Sequence, residues 1–142
     1  MLIAEILRGK GSGVVAVSPE ESVAGLLARL ARHNIGAVVV MRDGRVVGVA
    51  SERDIVRALQ ERGAALLEAP VSDIMTADVV TCATEDTDDT LTVVMTENRI
   101  RHVPVLDGEE LVGIVSIGDV VKSRISQLEQ DRRQLEAYIT QG

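Results

Sequence analysis

Two serine–aspartate pairs at the same spacing are the residues best suited to hold a polar small molecule: Ser51 with Asp54, and Ser116 with Asp119. Each pair closes an apolar stretch with a glycine three residues ahead of the serine. The first copy is Gly48-Val49-Ala50-Ser51-Glu52-Arg53-Asp54, and 65 positions later comes Gly113-Ile114-Val115-Ser116-Ile117-Gly118-Asp119. An aspartate, with a reference pKa of about 4, is ionised at neutral pH. Its two oxygens can accept from both adjacent hydroxyls of a ribose. The serine hydroxyl and the free N–H groups of a following helix suit a phosphate. The same Ser-x-x-Asp spacing is also a capping box, in which hydroxyl and acid satisfy the first helical turn. The two uses are compatible.

Cations stand near these pairs in sequence. Arg53 lies inside the first motif, and Arg101-His102 opens the run Arg101-His102-Val103-Pro104-Val105-Leu106. Gly48 and Gly113 permit close backbone approach, either by a neighbouring segment or by a flat base. His33 reads as a helix-end surface residue and Cys82 as structural. One cysteine and two histidines give no metal-ligand set. A Ser-x-x-Asp pair with no histidine beside it has no general base for the hydroxyl, and no Gly-rich P-loop with its lysine is present. No catalytic residue is therefore expected.

Composition narrows the class. Hydrophobic residues make up 46% of the 142 positions, yet Tyr138 is the only aromatic, so the core must be Val, Leu, Ile, Ala and Met and offers no aromatic platform for stacked bases. Acids outnumber Lys and Arg 22 to 15, a net charge of −7, which is the wrong sign for a nucleic-acid surface. The apolar start Met1 to Leu7 is followed, not preceded, by Arg8 and Lys10, and no apolar run approaches the ~20 residues of a membrane span. A cytoplasmic protein away from membranes is expected.

The elements that would position the pairs repeat as well. Ala4 to Leu7 and Asp73 to Met75 read as short helical lead-in segments, each followed by a β-rich run, Val14 to Val17 and Val79 to Cys82, with three extra residues in the first half around Gly9 to Gly13. Ser18-Pro19-Glu20-Glu21-Ser22 signals a helix start, and Val23, Leu26, Leu27 and Leu30 form its apolar stripe. Thr84 to Thr87 starts the counterpart, with Leu91, Val94 and Met95. His33-Asn34 and Asn98-Arg99 close the two helices. Strands then run from Ala37 to Met41 and Val46 to Ala50 around a turn at Asp43-Gly44, and from His102 to Leu106 and Leu111 to Val115 around Asp107-Gly108. Ser51 opens a helix that Gly63 closes. After Asp119 the helix continues, and Val121, Ile125, Leu128, Arg132, Leu135 and Ile139 fall on a heptad seam. Such a seam either lies on its own repeat or meets a second chain.

The doubled Gly-x-x-Ser-x-x-Asp pattern, Val71-Ser72-Asp73-Ile74-Met75-Thr76 ahead of its second copy, and the Arg101-His102-Val103-Pro104-Val105-Leu106 run resemble the CBS-domain pair, the cystathionine-β-synthase-type tandem module, over nearly the whole chain. The chain is most similar to stand-alone pairs of bacterial type. The resemblance implies an α/β fold of two β-α-β-β-α repeats packed about a pseudo-twofold axis, here residues 1–64 and 65–127 with a C-terminal helical extension at 128–142. It implies two clefts and a homodimer. It also implies a regulatory module that binds AMP, ADP, ATP or NAD without a metal, with preference for adenine over guanine and an unidentified regulated protein as partner. The alternative is a dimeric scaffold that binds a protein and no nucleotide.

By that resemblance Asp54 and Asp119 hold ribose. Gly48, Ser51, Arg53, Pro104, Gly113 and Ser116 line the clefts, and Arg101 with His102 reaches the phosphate in the cleft of Asp54. The positions corresponding to Arg53, Arg101 and His102 around Asp119 are Gly118, Gly36 and Ala37, so the Asp54 cleft is expected to bind more tightly, unless Lys10 or Lys122 supplies the missing cation.

Overall fold

The computed structural model describes residues 1–10 and 13–141; Gly11 and Ser12 of the three-residue insertion, and Gly142 at the end of the extension, lie outside the described residues. The chain opens with helix α1 (Ile3–Lys10), then makes β1 (Ala16–Val17), α2 (Val23–His33), β2 (Ala37–Arg42), β3 (Arg45–Ser51) and α3 (Glu52–Arg62). Two short 3-10 turns, Gly63–Glu68 and Val71–Asp73, lead into β4 (Cys82–Ala83), α4 (Asp88–Asn98), β5 (His102–Asp107), β6 (Glu110–Ser116) and α5 (Ile117–Gln141). The expected β-α-β-β-α unit thus occurs twice.

Each half has a three-stranded sheet, ordered β1-β2-β3 and β4-β5-β6, in which the short first strand runs parallel to the middle one and the hairpin is antiparallel. The two sheets meet along β3 and β6. The apolar stripes face inward as the helical spacing requires: Val23, Leu26 and Leu30 of α2 pack with Val38 and Val40, and Leu91 and Met95 of α4 pack with Val103 and Val105. Leu27 remains more exposed, at the edge of its stripe.

Two local expectations shift. The Ser18-Pro19 signal belongs to a turn, and the cap of α2 is Ser22, whose hydroxyl accepts from the Gly25 N–H at 3.0 Å. In the first hairpin Asp43 and Gly44 take φ of 53° and 77°, whereas in the second Asp107 ends β5 opposite Glu110 and the turn is Gly108-Glu109, with Gly108 at φ 64°. The glycine, which takes positive φ without a Cβ clash, sets that register, and the aspartate before it does not.

The lead-in segments pack crosswise. Ile3 and Ile6 of α1 are buried in the core of the second half, and the Ile3 N–H donates to the Asp86 carbonyl at 2.8 Å. Conversely Val71 is fully buried in the core of the first half, its N–H donating to the Glu21 carbonyl at 2.8 Å. Each core therefore takes in the segment that precedes the other half's strands.

Candidate functional site

Ser51 ends β3 and caps α3, so its partner Asp54 sits in the first helical turn with little freedom. The Ser51 N–H donates to Asp54 Oδ2 at 2.9 Å, the Ser51 hydroxyl to the same oxygen at 3.0 Å, and the Asp54 N–H to Ser51 Oγ at 3.3 Å. The capping box is complete and uses one carboxylate oxygen. Asp54 Oδ1 has no protein donor among the described residues.

Around this junction lies a cleft of about 370 Å³, within the usual range for a small-molecule site. One side comes from the first half: Gly36, Val49, Ser51 and the first turns of α3 with Glu52, Arg53, Asp54 and Arg57. The extended run Thr76, Asp78, Val79 and Val80 forms a second wall. The third comes from the other half, with Arg99, Ile100, Arg101, His102 and Ile117. The structure thus brings Ser51, Arg53, Asp54, Arg101 and His102 to one cleft. The apolar side chains there, Val49, Val79, Val80, Ile100 and Ile117, could flank a flat ring.

Four charged residues of this cleft were missed by the sequence reading. Arg57 follows Arg53 by one helical turn, a spacing that could have flagged it. Arg99 is the C-cap of α4 at φ 54°, the place held by Asn34 at φ 51° in the first half, and nothing in an arginine signals a left-handed cap. Glu52 and Asp78 add two more acids to the lining. Burial lowers the pKa of His102, with Lys10 and Arg101 acting in the same direction and Glu52 and Asp119 opposing. At neutral pH the imidazole is uncharged, so His102 offers an anion a hydrogen bond and not a charge.

The remaining candidate residues sit elsewhere. A Cβ on Gly48 would lie 2.6 Å from Met75 Sδ, and one on Gly113 would lie 2.6 Å from Leu7 Cδ2. Both glycines admit the crosswise lead-in segments, and neither lines the cleft. Pro104 is buried within β5. Ser116 and Asp119 repeat the cap at the start of α5, with the Ser116 N–H 2.8 Å from Asp119 Oδ2 and the Asp119 N–H 3.1 Å from Ser116 Oγ. Here, however, Lys10 Nζ also donates to Asp119 Oδ2 at 2.7 Å and to the Ile114 carbonyl at 2.7 Å. Burial works to raise the Asp119 pKa, but the Lys10 and Ser116 hydrogen bonds outweigh it and hold the carboxyl below its usual value. Lys122 forms no hydrogen bond or ion pair with Asp119.

The Cys82 thiol is buried, and burial with the nearby Asp86 charge pushes its pKa up to about 11, so it stays protonated and inert. Among the described residues no group of His, Cys, Asp and Glu has the arrangement of a metal site, and no helix is long and apolar enough to cross a membrane.

The CBS domain profile matches residues 10–61 and 71–126, more than half of the chain. A CBS-domain-containing protein of Agrobacterium tumefaciens, known from its crystal structure, is 46% identical and superposes with a TM-score of 0.85 over 87% of this chain and 99% of its own. The mitochondrial CBS domain-containing protein CBSX3 of Arabidopsis thaliana is 31% identical over 99% of this chain and 72% of its own length. The CBS domain pair of protein MJ0100, solved in complex with 5′-methylthioadenosine and S-adenosyl-L-methionine, is 25% identical with a TM-score of 0.80 over 89% of this chain and 98% of its own.

Proposed function

The chain belongs to the CBS domain family as a tandem pair, and from that premise we propose that it is a cytoplasmic regulatory module that binds an adenosine nucleotide in the cleft of Asp54 and carries no catalytic activity of its own. One observation carries the reading: a carboxylate with an unused oxygen shares a cleft of about 370 Å³ with four arginines drawn from both halves. Asp54 would take the ribose hydroxyls. Arg53, Arg57, Arg99 and Arg101 would surround the phosphate, with His102 as a neutral donor. MJ0100 supports an adenosine-type ligand. Its two ligands carry an uncharged thioether or a cationic sulfonium at the 5′ position, neither of which would use a cluster of guanidinium groups. The arginines therefore favour AMP, ADP, ATP or the adenylate half of NAD.

A thermal scan tests this. A nucleotide at 100 times its Kd stabilises the fold by about 2.7 kcal/mol, a Tm rise on the order of 5 to 10 °C for a chain this size. Adenosine, without the phosphate, should give a distinctly smaller rise at equal concentration. No shift with any adenosine nucleotide would leave the protein-binding scaffold as the better reading. Equal shifts with GMP and AMP would remove the adenine preference.

We also propose a homodimer joined in part through α5. Every described residue from Leu128 onward is exposed, and Val121, Ile125, Leu128, Leu135 and Ile139 of the seam are each at least half exposed. Such a row of large apolar side chains, standing clear of its own repeat, is covered most economically by another chain. Removing residues 127–142 should raise the dimer dissociation constant tenfold or more in sedimentation or light scattering. An unchanged dimer after truncation would assign self-association to another face.

A further inference from the structure

We propose that Lys10 is a built-in competitor for a nucleoside at Asp119, so that this half's site stays latent while the Lys10–Asp119 ion pair holds. The inference rests on the adenosine reading above and adds to it how many sites are available. Its ground is the comparison of the two halves, position by position.

Leu7 stands over Gly113 as Met75 stands over Gly48, which aligns the two lead-in segments. Continuing along each, Lys10 corresponds to Asp78. In the first half the segment runs extended: Thr76 pairs with Val49 through Thr76 N–H to Val49 carbonyl at 2.9 Å and Val49 N–H to Thr76 carbonyl at 3.0 Å. It thereby leaves Asp54 Oδ1 free and places Asp78 on the cleft wall. In the second half the segment stays helical through Lys10. The Ile114 carbonyl, counterpart of the Val49 carbonyl, receives the Lys10 ammonium in place of a backbone N–H.

The same ammonium neutralises Asp119, the counterpart of the ribose-holding Asp54. One side chain thus takes both a strand acceptor and the carboxylate that a nucleoside would need. The Lys10 and Asp119 side chains are 38% and 21% exposed, so the pair reaches solvent at its lysine end, where an ammonium exchanges a carboxylate for water at little cost.

The test is a calorimetric titration of the full chain with AMP, comparing wild type with Lys10→Met, which keeps the length and helix propensity of the side chain but removes its charge. Wild type should bind one AMP per chain, lost in Asp54→Ala. Lys10→Met should bind a second, at least about tenfold tighter there than wild type, and that phase should vanish in Lys10→Met with Asp119→Ala. A stoichiometry that stays at one in Lys10→Met, with the Asp54 cleft filling normally, overturns the inference alone. Two sites in wild type with one lost in Lys10→Met would make Lys10 a ligand-holding residue, which also overturns it. Binding by neither protein would sink the adenosine reading together with this inference.

Discussion

Asp54→Ala should weaken AMP binding by about 100-fold or more in calorimetry, while Asp119→Ala leaves the tight phase in place. A carboxylate that accepts from ribose hydroxyls makes charge-assisted hydrogen bonds worth roughly 1.5 to 3 kcal/mol each, and about 1.4 kcal/mol is a decade of affinity. Losing two such bonds gives at least two decades. The same substitution removes half of a capping box, so it also lowers stability by about 1 kcal/mol. Asp54→Asn separates the effects, because an amide oxygen can still accept from the Ser51 N–H but carries no charge. It should fold as wild type and still lose at least tenfold in affinity. If Asp119→Ala removes the tight phase and Asp54→Ala does not, the roles of the clefts are reversed.

The second large effect is on stability. Ile3→Ala should lower the Tm by on the order of 10 °C, because it empties a fully buried position in the core of the second half. Deleting three buried carbons typically destabilises by about 2 to 5 kcal/mol, the transfer term adding to that of the cavity left behind. For a chain this size each kcal/mol moves the Tm by about 2 to 4 °C. Val56→Ala, at a side chain 67% exposed, is the control and should change stability by less than about 0.5 kcal/mol. Hydrogen exchange should locate the Ile3→Ala loss in α4, β5 and β6, not in α2 and β2. Loss confined to the first half would contradict the crosswise packing.

The repeat, the helix stripes, the first hairpin and both Ser-x-x-Asp caps were legible because each depends on neighbours within one or two turns. Periodicity could mark Ile3 and Ile6 as a buried face. It could not say which half buries them, because that is decided by the path of the chain between halves. Lys10 illustrates the same limit: its type suggested a missing cation, and only the helical course of α1 shows that it lands on the Asp119 carboxylate. The net charge of −7 has the wrong sign for a nucleic-acid surface. It could not reveal that Arg53, Arg57, Arg99 and Arg101 converge, since local potential depends on how charges are gathered.

Helix α5 has a mechanical consequence. Its first residue, Ile117, is part of the wall of the Asp54 cleft, and its cap is the Ser116–Asp119 pair held by Lys10. At about 1.5 Å per residue its 25 residues span about 37 Å, so a tilt of about 10° at the cleft end swings the far end through about 6 Å. The helix is thus a lever whose first turns are held against α4 by the buried Val120 and Ser123 and whose start touches the Asp54 cleft. A movement of that size at the exposed end of α5 exceeds the rise of a full helical turn.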